Sequence, residues 1–158
     1  INENDTFKEV WHNLYNNSSD FLLESLDMIE KNETNIITHL DLKESYAPKI
    51  NKKELEIKWE EPNILIHNKV RAFNPLPSMF THLNQKRIKI VKSSISNYSN
   101  DNIKVGTIVA DADKLLVKCG TGFLEIVELR PDSKKNMKSI DFINGFSKFL
   151  IPPYNVFK

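Results

Sequence analysis

Over the first 31 residues apolar side chains recur at three- and four-residue steps, Phe7, Val10, Trp11, Leu14 and Tyr15, then Phe21, Leu22, Leu26 and Ile29. That period is the mark of an amphipathic helix. Thr6 followed by Glu9 has the spacing of a capping box at its start. Asn16, Asn17, Ser18 and Ser19 interrupt the stripe and offer a second N-cap, so the pattern predicts two short helices or one broken helix. Little else in this segment can cover the stripe. Across 32–50 the period is lost: Asn32, Asn35, Asp41 and Lys43 are polar, and Pro48 favours extended backbone at Ala47, so this stretch reads as a linker.

From residue 51 the organisation changes. Asn51 to Glu54 suits a short capped turn, and Ile57 and Trp59 alternate with charged residues. Pro62 is placed to open a helix over 62–73 that presents Ile66, Val70 and Phe73 on one face, with Lys69 outward and Arg71 near the border. Pro75 and Pro77 end it. Alternation then predicts strands at 79–83, 87–96, 107–110, 115–118 and 123–129, bounded by turn residues such as Ser99 to Asn102 and Gly120 to Gly122. A last helix fits 139–146, capped by Ser139, after which Phe149, Leu150 and Ile151 pack back. Five short strands in close succession predict a small closed barrel, making the chain mainly β with flanking helices.

Composition narrows the classes. With 158 residues, 40% hydrophobic and 27% charged, the chain is globular, long enough for its own core, and has no apolar run of the ~18 residues a membrane span needs. Its one cysteine, Cys119, allows no internal disulfide and suits a reducing compartment. No secretion signal follows Ile1, and the true start is expected upstream of it. The net charge of +1 conceals a gradient: residues 1–50 hold 10 acidic and 4 basic side chains, and residues 51–158 hold 11 and 18. Positions 62–100 contain no acid at all while carrying Lys69, Arg71, Lys86, Arg87, Lys89 and Lys92, which points to a polyanionic partner.

Catalytic constellations are thin. His12, His39, His67 and His82 are scattered without metal-ligand spacing, and no metal is expected. Asp111 and Asp113 suit a turn better than an acid–base pair, Gly120-Thr121-Gly122 suits a hairpin better than a phosphate loop, and Cys119 reads as a buried thiol. The cations carry more. Strand geometry puts Arg87 and Lys89 on one face and Ile88 and Ile90 on the other, giving an exposed cationic strip. Lys134, Lys135 and Lys138 form a second group, and Lys49, Lys52 and Lys53 a third. If six cations met phosphates, affinity would fall roughly 10³-fold between 50 and 200 mM salt. Aromatics on the predicted strands are few (Phe80, Tyr98, Phe123), so backbone and shape recognition of a folded RNA fits better than sequence-specific reading.

Tyr46-Ala47-Pro48-Lys49-Ile50, Ile57-Lys58-Trp59 and Val70-Arg71-Ala72-Phe73-Asn74-Pro75-Leu76-Pro77 resemble the linker and C-terminal domain of the methionyl-tRNA formyltransferase family. Gly106-Thr107-Ile108, Cys119 to Gly122, Lys134 to Met137 and Asp141 to Gly145 follow in the family's order, and the resemblance covers about residues 5–150. Leu76 and Ser133 depart from the pattern, where the family more often has an aromatic and a glycine.

The resemblance implies an OB-like barrel over 51–158 that helps hold initiator methionyl-tRNA, a linker over 32–50, and in 1–31 the last helices of a Rossmann-like catalytic domain. That domain would bind 10-formyltetrahydrofolate and carry the Asn, His and Asp set; the segment itself would bind no cofactor and hold no catalytic residue. The tRNA-positioning residues it implies are Lys49, Lys52, Arg71, Arg87, Lys89, Lys134 and Lys135, with Arg71 open to a structural role on backbone carbonyls. A cytoplasmic, monomeric protein of translation initiation is expected, with no membrane partner. The alternatives are a domain of a related enzyme acting on a small molecule or on formyltetrahydrofolate, and a non-enzymatic protein-interaction module.

Overall fold

The computed structural model describes residues 1–33, 44–153 and 155–158. Part of the expected linker over 32–50, with His39, lies outside them. The first helix, α1 (Phe7–Glu30), is continuous, so neither two helices nor a break forms. The polar run is absorbed because its side chains bond back to the preceding turn: Asn17 Nδ2 donates to the Asn13 carbonyl at 2.7 Å and Ser18 Oγ to the Tyr15 carbonyl at 2.8 Å. At its start the Glu9 carboxylate accepts from both the backbone N–H and the hydroxyl of Thr6 at 2.6 Å, as the capping spacing predicts. None of its residues is buried.

The core lies in the second part. A 3₁₀ turn, Lys52–Leu55, leads through Ile57 and Trp59 to α2 (Asn63–Ala72), which buries Ile66, His67 and Val70. The strands are β1 (Met79–Leu83), β2 (Lys86–Ser96), β3 (Ile108–Asp111), β4 (Lys114–Lys118), β5 (Phe123–Pro131) and the short β6 (Met137–Lys138), followed by α3 (Ser139–Gly145). Ser139 is the first helical residue and Lys138 takes the cap position. Alternation holds along β1, with Met79, Thr81 and Leu83 buried, and Ile88 and Ile90 point inward on β2.

All pairings are antiparallel, in the order β1-β2-β5-β4-β3, with β6 beside β5. The expected closed barrel is an open sheet, because β1 and β3 do not pair. The chain's last residues stand between those two edges: Phe157 bridges Leu83, and Val156 bridges Thr107. Phe157 stacks on Trp59 with centroids 5.5 Å apart, and Trp59 Nε1 donates to Thr81 Oγ1, whose hydroxyl donates to the Lys158 carbonyl. A tail that arrives last in sequence fills a gap no strand pairing could signal in advance.

The hairpin at Gly120 to Gly122 holds the entry to α2. Gly120 N–H donates to the Trp59 carbonyl at 2.8 Å, Asn63 N–H to the Thr121 carbonyl at 3.0 Å, and Asn63 Nδ2 to the Phe123 carbonyl. A Cβ at Gly120 would lie 1.9 Å from the Glu60 carbonyl oxygen, so only glycine permits this approach. No helix among the described residues is long and apolar enough to cross a membrane.

Candidate nucleic-acid interface

The outer face of β1, β2 and β5 is built by register. Phe80 pairs with Lys89 and His82 with Arg87 across β1 and β2, and Lys89 pairs with Arg130 across β2 and β5. Inward-facing Ile88, Ile90 and Leu129 fix the outward direction of the residues between them. The Arg87 guanidinium carbon lies over Phe80 in a cation–π contact, 3.7 Å from the ring centroid. Arg87, Lys89, Arg130 and Lys134, with Pro131, Asp132 and Ser133, line a cleft of about 370 Å³. Among the described residues none of the four cations stands within ion-pair distance of a carboxylate. Their crowding is felt by Lys89, whose ammonium is held below its usual range by burial and by the charges of Arg130 and Arg87, against a smaller opposing pull from Asp132.

Three of the expected positions, Arg87, Lys89 and Lys134, therefore meet in one cleft. Lys135 follows Lys134 and is exposed without lining it, and Lys49 and Lys52 are exposed on the approach to α2. Arg71 is turned elsewhere: Nη1 donates to the backbone carbonyls of Asp5 and Asn2, and Nη2 to Asn68 Oδ1 at 3.0 Å. These bonds tie the segment before α1 to α2. Arg130 was not anticipated from sequence. Its signal is the alternation of β5, which runs past Leu129 for one more outward position, and Pro131 masks it as a turn.

Two of the other histidines and the cysteine are held by the fold. His67 Nδ1 lies 3.0 Å from Ser93 Oγ in a buried pair, and burial, with the Arg71 charge second, holds the imidazole below its ordinary value. His82 Nδ1 lies 3.3 Å from Glu56 Oε1, and His12 is exposed on α1. Cys119 is fully buried, and burial pushes its thiol up to about 12, far from a reactive thiolate. Among the described residues no group of three or more His, Cys, Asp or Glu is placed to hold a metal ion.

Fold and face together define a small antiparallel β domain whose outer face clusters four cations that no carboxylate pairs among the described residues. The chain belongs to the formyl transferase C-terminal domain family, whose model matches residues 49–147. Its relatives include the methionyl-tRNA formyltransferases of Syntrophomonas wolfei, 29% identical over 148 residues (93% of this chain, 47% of that protein), and of Coxiella burnetii, 33% identical over 159 residues (99% and 50%). The chain spans about half the length of these relatives. In fold it is similar to HypX from Aquifex aeolicus, solved in complex with tetrahydrofolic acid, at a TM-score of 0.60 and 18% identity over 80% of this chain and 22% of that one.

Proposed function

We propose that this chain is the tRNA-holding portion of a methionyl-tRNA formyltransferase, an enzyme that moves a formyl group from 10-formyltetrahydrofolate to initiator methionyl-tRNA in the cytoplasm. The observation that carries the reading is the convergence of Arg87, Lys89, Arg130 and Lys134 on one cleft with no carboxylate paired to any of them among the described residues. Such a group neutralises backbone phosphates and positions the RNA without reading its sequence. Lys135, Lys49 and Lys52 extend the field toward neighbouring phosphates. Arg71, bonded to backbone carbonyls, acts as a structural tie. The names of the relatives support the enzyme class, and the formyl donor is proposed to bind outside the span this chain shares with them. His67 is committed to Ser93 and His82 faces Glu56, so no step of the transfer is assigned to these residues.

The test is tRNA binding by the Arg87→Glu, Lys89→Glu double variant. Losing two phosphate contacts and adding two repulsions is expected to weaken binding on the order of 100-fold at low salt. Unchanged affinity, measured by fluorescence anisotropy, contradicts the reading. No binding by the unaltered chain at low salt returns the choice to a small-molecule enzyme.

A further inference from the structure

We propose that the hollow beside the cationic cleft seats one unpaired nucleotide, its base against Phe146 and Phe149 and its phosphate on the Arg87, Arg130 and Lys134 side. This rests on the RNA-binding reading above and adds which feature of an RNA the face selects.

The turn after β5 separates two hollows. On the outer side is the cationic cleft; on the other is a pocket of about 80 Å³ lined by Leu83, Ile88, Phe146 and Phe149, with Lys86 and Lys134. Pro131, Asp132 and Lys134 border both, so a ligand in one is a short step from the other. Asp132 is the carboxylate shared by the two linings.

Aromatic rings run from the core to this opening. Phe142 is fully buried and stacks on Phe146 with centroids 4.6 Å apart at 16°; Phe146 meets Phe149 at 6.3 Å and 39°. Both outer rings are part-exposed. Lys86 Nζ stands 5.8 Å from the Phe149 ring centroid, over the π-face of a ring that is partly packed against the core. An exposed cation–π contact is weaker than base stacking, so a base displaces Lys86 and leaves its ammonium near the nucleotide's phosphate. An apolar, ring-lined hollow joined to cations matches a flat ring carrying an anion. Bases inside an A-form stem cannot reach it, which restricts the ligand to an unpaired position. The small volume favours a pyrimidine edge over a fused purine.

The experiment compares, on the full chain at low salt, fluorescein-labelled hexauridylate with a strand of six abasic ribose phosphates of the same charge. The base-bearing strand is expected to bind about 10-fold tighter. Phe149→Ala should bring that ratio close to one without weakening the abasic strand, and Phe149→Trp should preserve it. Equal binding of the two strands by the unaltered chain, or a preference that survives Phe149→Ala, overturns the proposal. A loss of both strands in Phe149→Ala that Phe149→Trp does not restore also overturns it, since that marks a packing role. The two readings fail separately: if Arg87→Glu with Lys89→Glu leaves both affinities unchanged while the base preference stands, the cationic reading and the phosphate's placement fall, and only the base seat at Phe146 and Phe149 remains.

Discussion

At the β1–β2–β5 side of the sheet, Arg87, Lys89 and Arg130 stand together without carboxylate partners among the described residues, and at the β3–β4 side the cations are answered. There Lys114 Nζ lies 3.9 Å from Glu125 and Lys118 Nζ 3.6 Å from Asp101, and Lys118 also covers the Phe123 ring at 5.0 Å. Both sides are strands of one sheet and both are rich in lysine or arginine. Charge count therefore distinguishes them poorly. A cation already facing a carboxylate projects little field, and because Glu125 and Lys118 are partly covered, separating either pair for a phosphate carries a cost. Lys89, lowered first by burial and then by the Arg130 and Arg87 charges, gains relief from any phosphate that arrives.

One scaffold stands behind both sides, and Gly120→Ala would break it most severely. Its Cβ would meet the Glu60 carbonyl at 1.9 Å, so the hairpin or the entry to α2 must shift. A cost of about 3 kcal/mol is expected, at the upper end of overpacking, and a thermal melt should fall by roughly 10 °C. Next in size, Arg130→Glu on the unpaired side should weaken tRNA binding roughly 10-fold, read by anisotropy. The mirror experiment, Lys114→Glu with Lys118→Glu, should change tRNA affinity by less than about threefold; a loss matching that of Arg130→Glu would erase the distinction between the sides.

The smallest effect concerns stability. Burial holds His67 below its usual value of 6.5, so the folded chain takes up that proton later than the unfolded chain as pH falls. The stability due to the neutral ring is present above the unfolded value and is lost as pH falls through it toward the folded one. Urea titrations at about pH 7 and about pH 5 should show this decline, at most about 1.4 kcal/mol per pH unit from one group, and His67→Gln should flatten it.

Much of the architecture was legible because it is written in local periods. Phe7 to Glu30, the five principal strands and the direction of Arg87 and Lys89 follow from period-3.6 and period-2 patterns that neighbouring residues carry themselves. What was hidden depends on distant parts of the chain. The Asn16 to Ser19 run looks like a break until its side chains find carbonyls on the preceding turn. The open edge between β1 and β3 is met by Val156 and Phe157, and nothing local in that tail announces strand-like bridging. Arg130 joins the cationic group only through its register with Lys89, some forty positions earlier. Phe146 and Phe149 lie off the strands, where a search for stacking residues along strands does not look.

Whether the four cations act as one group is read from the salt dependence of tRNA binding by the unaltered chain. Four cations meeting four phosphates predict a log–log slope of about −3.6, which is a loss of roughly 150-fold between 50 and 200 mM salt. A slope shallower than about −1 would mean that Arg87, Lys89, Arg130 and Lys134 do not meet phosphates together, and the account would be wrong.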